Sequence, residues 1–295
     1  MNVAHRAVRF AVLIFLRTVW RVKALTGVNL SGLGFALRRI RSDFEFIVGG
    51  RRFWFDHRIA AAYGLLPAGQ WNEPETHVFL NRLFSASGQW AFIDVGASVG
   101  EMALDFAGHP SVSTVVAFEP DVAAVEAIRH AASLNGFGQL RVVEAAVSDR
   151  CGSTRFAHDA HSPTAGHVGA EADRAAESDC VRCVTLDSDL GGIVGPAVLL
   201  IDVEGHEVHV LRGATEFIGR VRPVIVFEFN DTSRRYFNLN DVRRVLGKDW
   251  HIYRLRMNGD GRLDEDFSQT WNCVAVPDGP MSEAIQPLIY RSDCV

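Results

Sequence analysis

The residue types most suited to chemistry gather around two apolar runs in the first half of the chain. The first run leads into the loop FIDVGASVG (92–100), and the second, VVAF (115–118), ends in Glu119. Each run predicts a buried parallel strand. The glycines of the loop let a ligand approach the backbone, and a carboxylate at the tip of the next strand can accept hydrogen bonds from both hydroxyls of a ribose. The pattern therefore predicts a site for a nucleoside cofactor.

The loop departs from the fingerprint of dinucleotide-binding proteins. That fingerprint is G-x-G-x-x-G between a strand and a helix, whereas this loop reads Asp94-x-Gly96-x-Ser98-x-Gly100. A carboxylate at the end of the first strand would face a pyrophosphate unfavourably, but it suits the cationic amino-acid end of S-adenosylmethionine. The loop favours a methyl donor over NAD.

Six segments, in their order and spacing, carry a resemblance to a known family. They are FIDVGASVG, VVAFEPDVAAVEAIRHAASLNG, VVEAAVSD, VTLDSDL, LLIDVEGHEVHVLRGA and RPVIVFEFN. Together they resemble the FkbM family of S-adenosylmethionine-dependent methyltransferases, from about Phe53 to Val276. The resemblance implies an α/β, Rossmann-like class I methyltransferase, with a mostly parallel seven-stranded sheet and helices on both faces. It also implies methylation, usually of a hydroxyl on a sugar, glycolipid or other secondary metabolite.

One position departs from the family. The family usually carries a lysine two residues before the Asp of IDVEG, and here that position is Leu200. Any role of that ammonium group is absent here or belongs to another residue.

Ligands of such sheets bind beyond the carboxyl ends of the strands, so the candidate site residues follow from the strand ends. The expected cofactor-binding residues are Asp94, Gly96, Ala97, Ser98, Gly100, Glu119, Pro120, Ala146 and Asp202. The expected catalytic residues are Asp202, Glu204, His206 and Glu228. Methyl transfer to a hydroxyl needs a base or a metal that acidifies the hydroxyl, and Asp202 and Glu228 could share a divalent ion such as Mg²⁺.

Composition and charge predict one enzyme-sized domain behind a basic extension. The chain has 295 residues, of which 48% are hydrophobic, and its net charge is −5. Residues 1–58 hold eleven Arg or Lys against three acidic residues, so the rest carries a net charge of −13. An acidic body argues against a nucleic-acid substrate. We expect an extension over 1–52 and the methyltransferase domain over 53–295.

The extension predicts an amphipathic basic helix over residues 7–22. Arg6, Arg9, Arg17, Arg21 and Lys23 share one arc of a helical wheel, opposite Ala11, Phe15, Val19 and Val22. The apolar run is too short to span a bilayer, and no small-residue cleavage site follows it. Two interpretations stay open: peripheral contact with an anionic membrane or a partner, and packing of the apolar stripe on the enzyme's own core.

The cysteines and the one long polar stretch predict no metal centre. Five cysteines, an odd number, favour a reducing compartment such as the cytoplasm, and the C-x-x-C at 180–183 reads as part of a strand. His158, Asp159, His161 and His167 fall in a polar stretch, 151–178, that predicts a loop. A loop of that length in an enzyme is typical of a substrate lid.

The remaining strands and helices follow from apolar runs and caps. Helices are predicted over 121–134 and 206–217, and strands over 141–147, 198–203 and 224–229, with an antiparallel pair, 250–255 and 272–276, closing the sheet. Two other functions stay open, an NAD-dependent sugar-modifying oxidoreductase and a catalytically weak cofactor-binding protein at a membrane surface. The absence of a Tyr-x-x-x-Lys pair disfavours the first, and intact Asp202, Glu204 and Glu228 disfavour the second.

Overall fold

The fold is a large mixed sheet covered on both faces, seen in a computed structural model. The structure describes residues 3–26, 39–86, 88–158, 166–168, 178–263, 267–268, 270–279 and 285–291. The helices are α1 (Val3–Thr26), α2 (Pro74–Ala86), α3 (Glu101–Ala107), α4 (Val122–Asn135), α5 (Leu186–Asp189), α6 (Glu207–Arg212), α7 (Thr215–Val221) and α8 (Leu239–Leu246). Short 3₁₀ helices cover His57–Tyr63, Leu66–Ala68, Ser233–Arg235 and Gln286–Leu288.

The strands form one large sheet, one side sheet and one hairpin. They are β1 (Phe44–Val48), β2 (Arg51–Phe55), β3 (Trp90–Val95), β4 (Val112–Glu119), β5 (Leu140–Glu144), β6 (Ala146–Val147), β7 (Gly152–His158), β8 (Gly166–Val168), β9 (Asp179–Val184), β10 (Ala197–Ile201), β11 (Val224–Glu228), β12 (Trp250–Leu255), β13 (Gly261–Leu263), β14 (Asn272–Pro277) and β15 (Ile289–Arg291). In the described residues the large sheet has the order β15-β13-β12-β14-β11-β10-β3-β4-β5. The seven strands from β12 to β5 match the expected sheet, and short β13 and β15 extend its edge.

Parallel pairing brings the carboxyl ends of the strands, which carry the predicted site residues, to one edge of the sheet. Strands β11, β10, β3, β4 and β5 run parallel, while β14 inserts antiparallel between β11 and β12. The expected closing antiparallel pair is therefore confirmed. Because β14 reverses direction, its first residue, Asn272, lies beside Glu228, the last residue of β11.

The two faces of the sheet are buried in two separate cores. On β10, Val198 and Leu200 belong to one core and Leu199 and Ile201 to the other, because side chains alternate along a strand. Helices α1 to α4 cover the first face and α6 to α8 the second. Burial on both faces explains the continuous apolar runs of the central strands.

Helix α4 begins and ends where the sequence predicts. The Asp121 side chain accepts a hydrogen bond from Ala124 N, and Gly136 ends the helix at φ +70°. Position 136 favours glycine because a left-handed residue closes the last turn.

Two predicted elements are interrupted by tertiary contacts. The predicted strand 141–147 is two strands, because residues 146–147 leave the large sheet to pair with β9. The predicted helix 206–217 is two helices, which meet at Gly213. A Cβ atom there would lie 2.0 Å from the carbonyl oxygen of Ser148, so the chain passes too close for a side chain.

The prediction of a loop over 151–178 is wrong in its described parts. Residues 152–158 form β7, which pairs antiparallel with β9 and β8. His158 and His167 lie within β7 and β8, while Asp159 and His161 lie outside the described residues. The C-x-x-C at 180–183 falls in β9, as predicted, and Cys180 and Cys183 are free thiols.

The basic extension is joined to the body by helix packing and by a hairpin. Val12 and Leu16 of α1 belong to the first core, while Phe15 stays 46% exposed. The hairpin β1–β2 packs on α4, and the expected boundary between 52 and 53 falls inside β2. Within the described residues, no helix combines the length and apolar character that crossing a bilayer requires.

Candidate active site

A cavity of about 1910 Å³ opens at the carboxyl ends of β3, β4, β10 and β11. It exceeds the 300–1,000 Å³ usual for one small ligand, so it has room for a cofactor and an acceptor. Carboxylates dominate its polar lining: Glu73, Glu75, Asp94, Glu101, Glu119, Asp121, Asp202, Glu204, Glu228 and Asp231. The cationic side chains that line it are Arg41, Arg58 and Arg234. The cavity therefore favours a cationic ligand.

The glycine turn forms the floor of the cavity. Gly96 has a φ of +88°, and a Cβ atom there would lie 1.8 Å from the carbonyl oxygen of Asp202. Gly100 (φ +81°) does not line the cavity. A Cβ atom at Gly100 would crowd Ile128 and Leu104, so this glycine permits helix packing rather than ligand contact.

Asp94 is the buried acid of this floor. It is 3% exposed, and its Oδ2 has no hydrogen-bond partner in the described structure. Burial raises the pKa of Asp94 to about 8. An orphaned carboxyl oxygen at a cavity wall fits a ligand that brings a cation or a hydrogen-bond donor.

Glu119, at the end of β4, is fixed by two backbone amides. Its Oε2 accepts a hydrogen bond from Ser98 N at 2.7 Å, and its Oε1 accepts one from Asp121 N at 2.9 Å. A carboxylate offers about four acceptor positions, so one carboxylate can accept from backbone amides and from ligand hydroxyls together. Glu119 thus ties the glycine turn to the next strand and presents acceptors to the cavity.

A strained turn after β10 positions the carboxylates of Asp202 and Glu204. Glu204 has a φ of +54° and Gly205 one of +105°. Glu207 holds this turn, because its Oε1 accepts hydrogen bonds of 3.2 Å from Val203 N and Gly205 N. The second Glu of the IDVEG-x-E motif is therefore a structural residue, 0% exposed, that shapes the loop carrying Asp202 and Glu204.

Asp202, Glu204 and Glu228 form a compact carboxylate cluster. Each offers an oxygen, and these oxygens all lie within 4.8 Å of one another. Burial and the charge of Glu204 raise the pKa of Asp202 to about 7. Burial and the charge of Asp202 raise the pKa of Glu228 to about 11, so Glu228 holds its proton at neutral pH.

Sequence reasoning missed Glu73, which precedes α2. Its carboxyl hydrogen bonds to that of Asp202, and its Oε2 accepts a bond of 3.0 Å from Asn272 Nδ2. Burial and the charge of Asp202 hold the pKa of Glu73 well above its usual range, so Glu73 is the proton donor of the pair. No local pattern marks Glu73, because only the fold brings residues 73, 202 and 272 together.

The other predicted site residues divide between the cavity and its surroundings. Ala97, Ser98, Pro120 and Ala146 line the cavity. His206 does not: its Nε2 lies 2.9 Å from Ser148 Oγ, and its ring stacks on His209. Burial lowers the pKa of His206 to about 4. This placement gives no support to the predicted substrate contact of His206.

Comparison with known proteins places the chain in a family. The family model for the methyltransferase FkbM domain matches residues 94–254, more than half of the chain. The FkbM methyltransferase structure from Methylobacillus flagellatus KT shares 15% identity at a TM-score of 0.43, over 82% of this chain and 57% of that chain. M. jannaschii TYW2 in complex with AdoMet shares 11% identity at a TM-score of 0.42, over 80% and 84%. The chain therefore spans little more than half the length of the FkbM structure, as the 57% coverage shows. Among curated proteins, none matches significantly.

Proposed function

The chain belongs to the FkbM family of methyltransferases, and we propose that it transfers a methyl group from S-adenosylmethionine to a hydroxyl of a sugar, glycolipid or secondary metabolite. The observation that carries this proposal is one continuous cavity. It joins the glycine turn and Glu119 to the Asp202 cluster, so a donor and an acceptor can lie side by side.

The residues present fit this cofactor. Asp94 has a buried, unpartnered oxygen where a ligand ammonium would be stabilised, and Glu119 lines the cavity at the strand end from which a carboxylate can accept from ribose hydroxyls. The close approach of Gly96 to Asp202 leaves no space for a side chain in the turn. When bound, S-adenosylmethionine supplies an electrophilic methyl group on a sulfonium. An anionic pyrophosphate would meet the carboxylates of the same wall, which argues against NAD.

Asp202 is the proposed general base. Its pKa of about 7 leaves it partly ionised at neutral pH, the range in which a base both accepts protons readily and is available to do so. The Glu73 carboxyl donates a hydrogen bond to it and holds it in place. Asp202 therefore takes the proton of the acceptor hydroxyl as its oxygen bonds to the methyl carbon, the carbon–sulfur bond breaks and S-adenosylhomocysteine leaves.

The same carboxylates offer a second route through a divalent ion. Asp202, Glu204 and Glu228 present oxygens close enough together to share one ion such as Mg²⁺, which prefers carboxylate ligands. In that route Asp202, Glu204 and Glu228 would hold the ion, with Glu228 in its deprotonated form, and the ion's chemistry would be to acidify the acceptor hydroxyl. Chelation separates the two routes, since a carboxylate base continues to work in EDTA.

Aromatic side chains that line the cavity suit a sugar acceptor. Trp271 lines the cavity and is 66% exposed, and Trp71 lines it as well. The face of an indole packs against the C–H groups of a sugar ring. We expect Trp271→Ala to raise KM for a glycan acceptor while leaving cofactor affinity unchanged.

The free thiols support a proposal about the compartment. Cys151, Cys180, Cys183 and Cys273 are free in the described structure, and Cys151 and Cys180 are exposed. Exposed thiols persist in a reducing compartment, so we propose a cytoplasmic enzyme.

The experiment combines binding and turnover. Calorimetry should show binding of S-adenosylhomocysteine and none of NAD, and radiolabelled S-adenosylmethionine should label a glycan, glycolipid or small-molecule acceptor. NAD binding in place of S-adenosylhomocysteine would support the oxidoreductase instead. Cofactor binding without labelling across a broad acceptor panel would support the catalytically weak binding protein.

A further inference from the structure

Helix α1 is apolar on two opposite sides. Val12 and Leu16 are 8% and 0% exposed and pack into the first core. At about 100° per residue, Phe10, Ile14 and Leu25 point away from that core, and we call these three the outward face. They are 68%, 47% and 86% exposed. Packing on the enzyme's own core therefore accounts for Val12 and Leu16 but leaves the outward face in contact with solvent.

The outward face combines its apolar side chains with one hydroxyl that is bonded internally. Thr18, on the same side of the wheel, donates its hydroxyl to the carbonyl oxygen of Ile14 at 2.9 Å. That hydroxyl is thus satisfied within the helix itself. Exposed apolar side chains in such a cluster mark a surface that binds a partner or a membrane.

The positive charge of α1 favours contact with an anionic surface. The helix carries five Arg or Lys and no acidic residue, and Arg17 and Arg21, beside the outward face, are exposed. The residues beyond 58 carry a net charge of −13, which an anionic surface would repel. Only the basic segment can therefore approach such a surface favourably.

We propose that the outward face of α1 lies on an anionic lipid surface, with its apolar side chains in the interface and its arginines at the lipid phosphates. Helix α1 packs on the 3₁₀ turn Leu66–Ala68, and the flanking Leu65 and Gly69 line the cavity. Lipid binding therefore holds the cavity close to the membrane. This inference does not depend on the methyl-transfer reaction.

Vesicle co-sedimentation of the full chain tests the proposed binding of α1 to an anionic lipid surface. Wild type should bind vesicles that contain phosphatidylglycerol and leave pure phosphatidylcholine vesicles largely unbound. Phe10→Gln/Ile14→Gln/Leu25→Gln should weaken binding roughly 10-fold or more, and so should Arg17→Gln/Arg21→Gln, which high salt should mimic. The matched control is Val194→Gln, a substitution of a side chain that is 79% exposed outside α1.

Three outcomes would overturn the proposal. The triple variant could bind as tightly as wild type, or wild type could bind both vesicle types equally. The outward face could instead join two copies of the chain. Light scattering would then show a dimer that the triple variant abolishes, with no vesicle binding. Circular dichroism and cofactor affinity check that each variant keeps its fold.

Discussion

Asp94 and Leu200 are register partners on the neighbouring parallel strands β3 and β10. Both line the cavity and are buried, so an aliphatic side chain stands beside the acid whose Oδ2 lacks a partner in the described structure. The residue that the family resemblance would place at 200 is lysine, whose ammonium would neutralise this carboxylate. With Leu200 at this position, Asp94 ionises readily only when a ligand brings a cation beside it.

This pairing predicts proton release when the cofactor binds. The pKa of Asp94 is about 8, so at pH 7 the free enzyme holds the proton, and a ligand ammonium beside Asp94 expels it. S-adenosylhomocysteine keeps that ammonium, so its affinity should rise with pH up to about 8. Calorimetry in buffers of different ionisation enthalpy measures the released proton.

Leu200→Lys should abolish most of that proton release, because its own ammonium ionises Asp94 in the free enzyme. Leu200→Met is the matched control and should behave as wild type. Wild-type binding with no proton release between pH 6 and 8 would mean that Asp94 does not face the ligand ammonium.

Glu73 should set the acid limb of the pH–rate profile. Turnover needs ionised Asp202 and is lost as pH falls through its pKa of about 7. The Glu73 hydrogen bond lowers that pKa, so Glu73→Leu should move the limb to higher pH, while Glu73→Gln, whose amide still donates, should leave it near its wild-type place. Equal shifts in both variants would contradict the donor role of Glu73. The quantity to measure is kcat from pH 5 to 9.

The local part of this site could be predicted from sequence, and the part built by distant segments could not. Gly96 and Glu119 follow strand patterns that are readable within a few residues. Glu73 and Asn272 lie outside the matched family region and reach the site because β14 inserts beside β11. His206 shares a motif with Asp202, but the turn held by Glu207 directs it toward Ser148, which no spacing rule reveals.

Glu119→Ala should weaken binding of S-adenosylhomocysteine by about 1.5 to 3 kcal/mol, because charge-assisted bonds to the ribose and the anchor of Ser98 N are both lost. Calorimetry measures the change. Glu144→Gln is the control, since Glu144 is the register partner of Glu119 on β5 but does not line the cavity. If the Glu119 variant bound S-adenosylhomocysteine as tightly as wild type, Glu119 would not bind the ribose.

Glu207→Gln should change stability in a pH-dependent way. Burial raises the pKa of Glu207 to about 7 in the folded state, against about 4.3 in the unfolded chain. The folded state therefore binds this proton more tightly, and its contribution to stability falls as pH rises from about 4 to about 7. Gln cannot ionise, so the variant should gain stability relative to wild type as pH rises through this window.

Urea unfolding at the two ends of the window measures the effect on the free energy of unfolding. Glu216→Gln, which removes an exposed carboxylate on α7, is the control for loss of one negative charge. A difference between Glu207→Gln and wild type that stays constant with pH would show that Glu207 acts only through its hydrogen bonds to Val203 N and Gly205 N.

Two of the three carboxylates of the cluster, Asp202 and Glu228, should respond differently to isosteric substitution. Asp202→Asn removes the base and should lower turnover roughly 100-fold or more with cofactor affinity little changed. Glu228 already holds a proton at neutral pH, its pKa being about 11, so Glu228→Gln should retain most of the turnover, as should Leu200→Met. If Glu228→Gln lost as much as Asp202→Asn and EDTA stopped the wild-type enzyme, a divalent ion held by the cluster would carry the reaction. Calorimetric titration with Mn²⁺ would then show a site that both variants weaken.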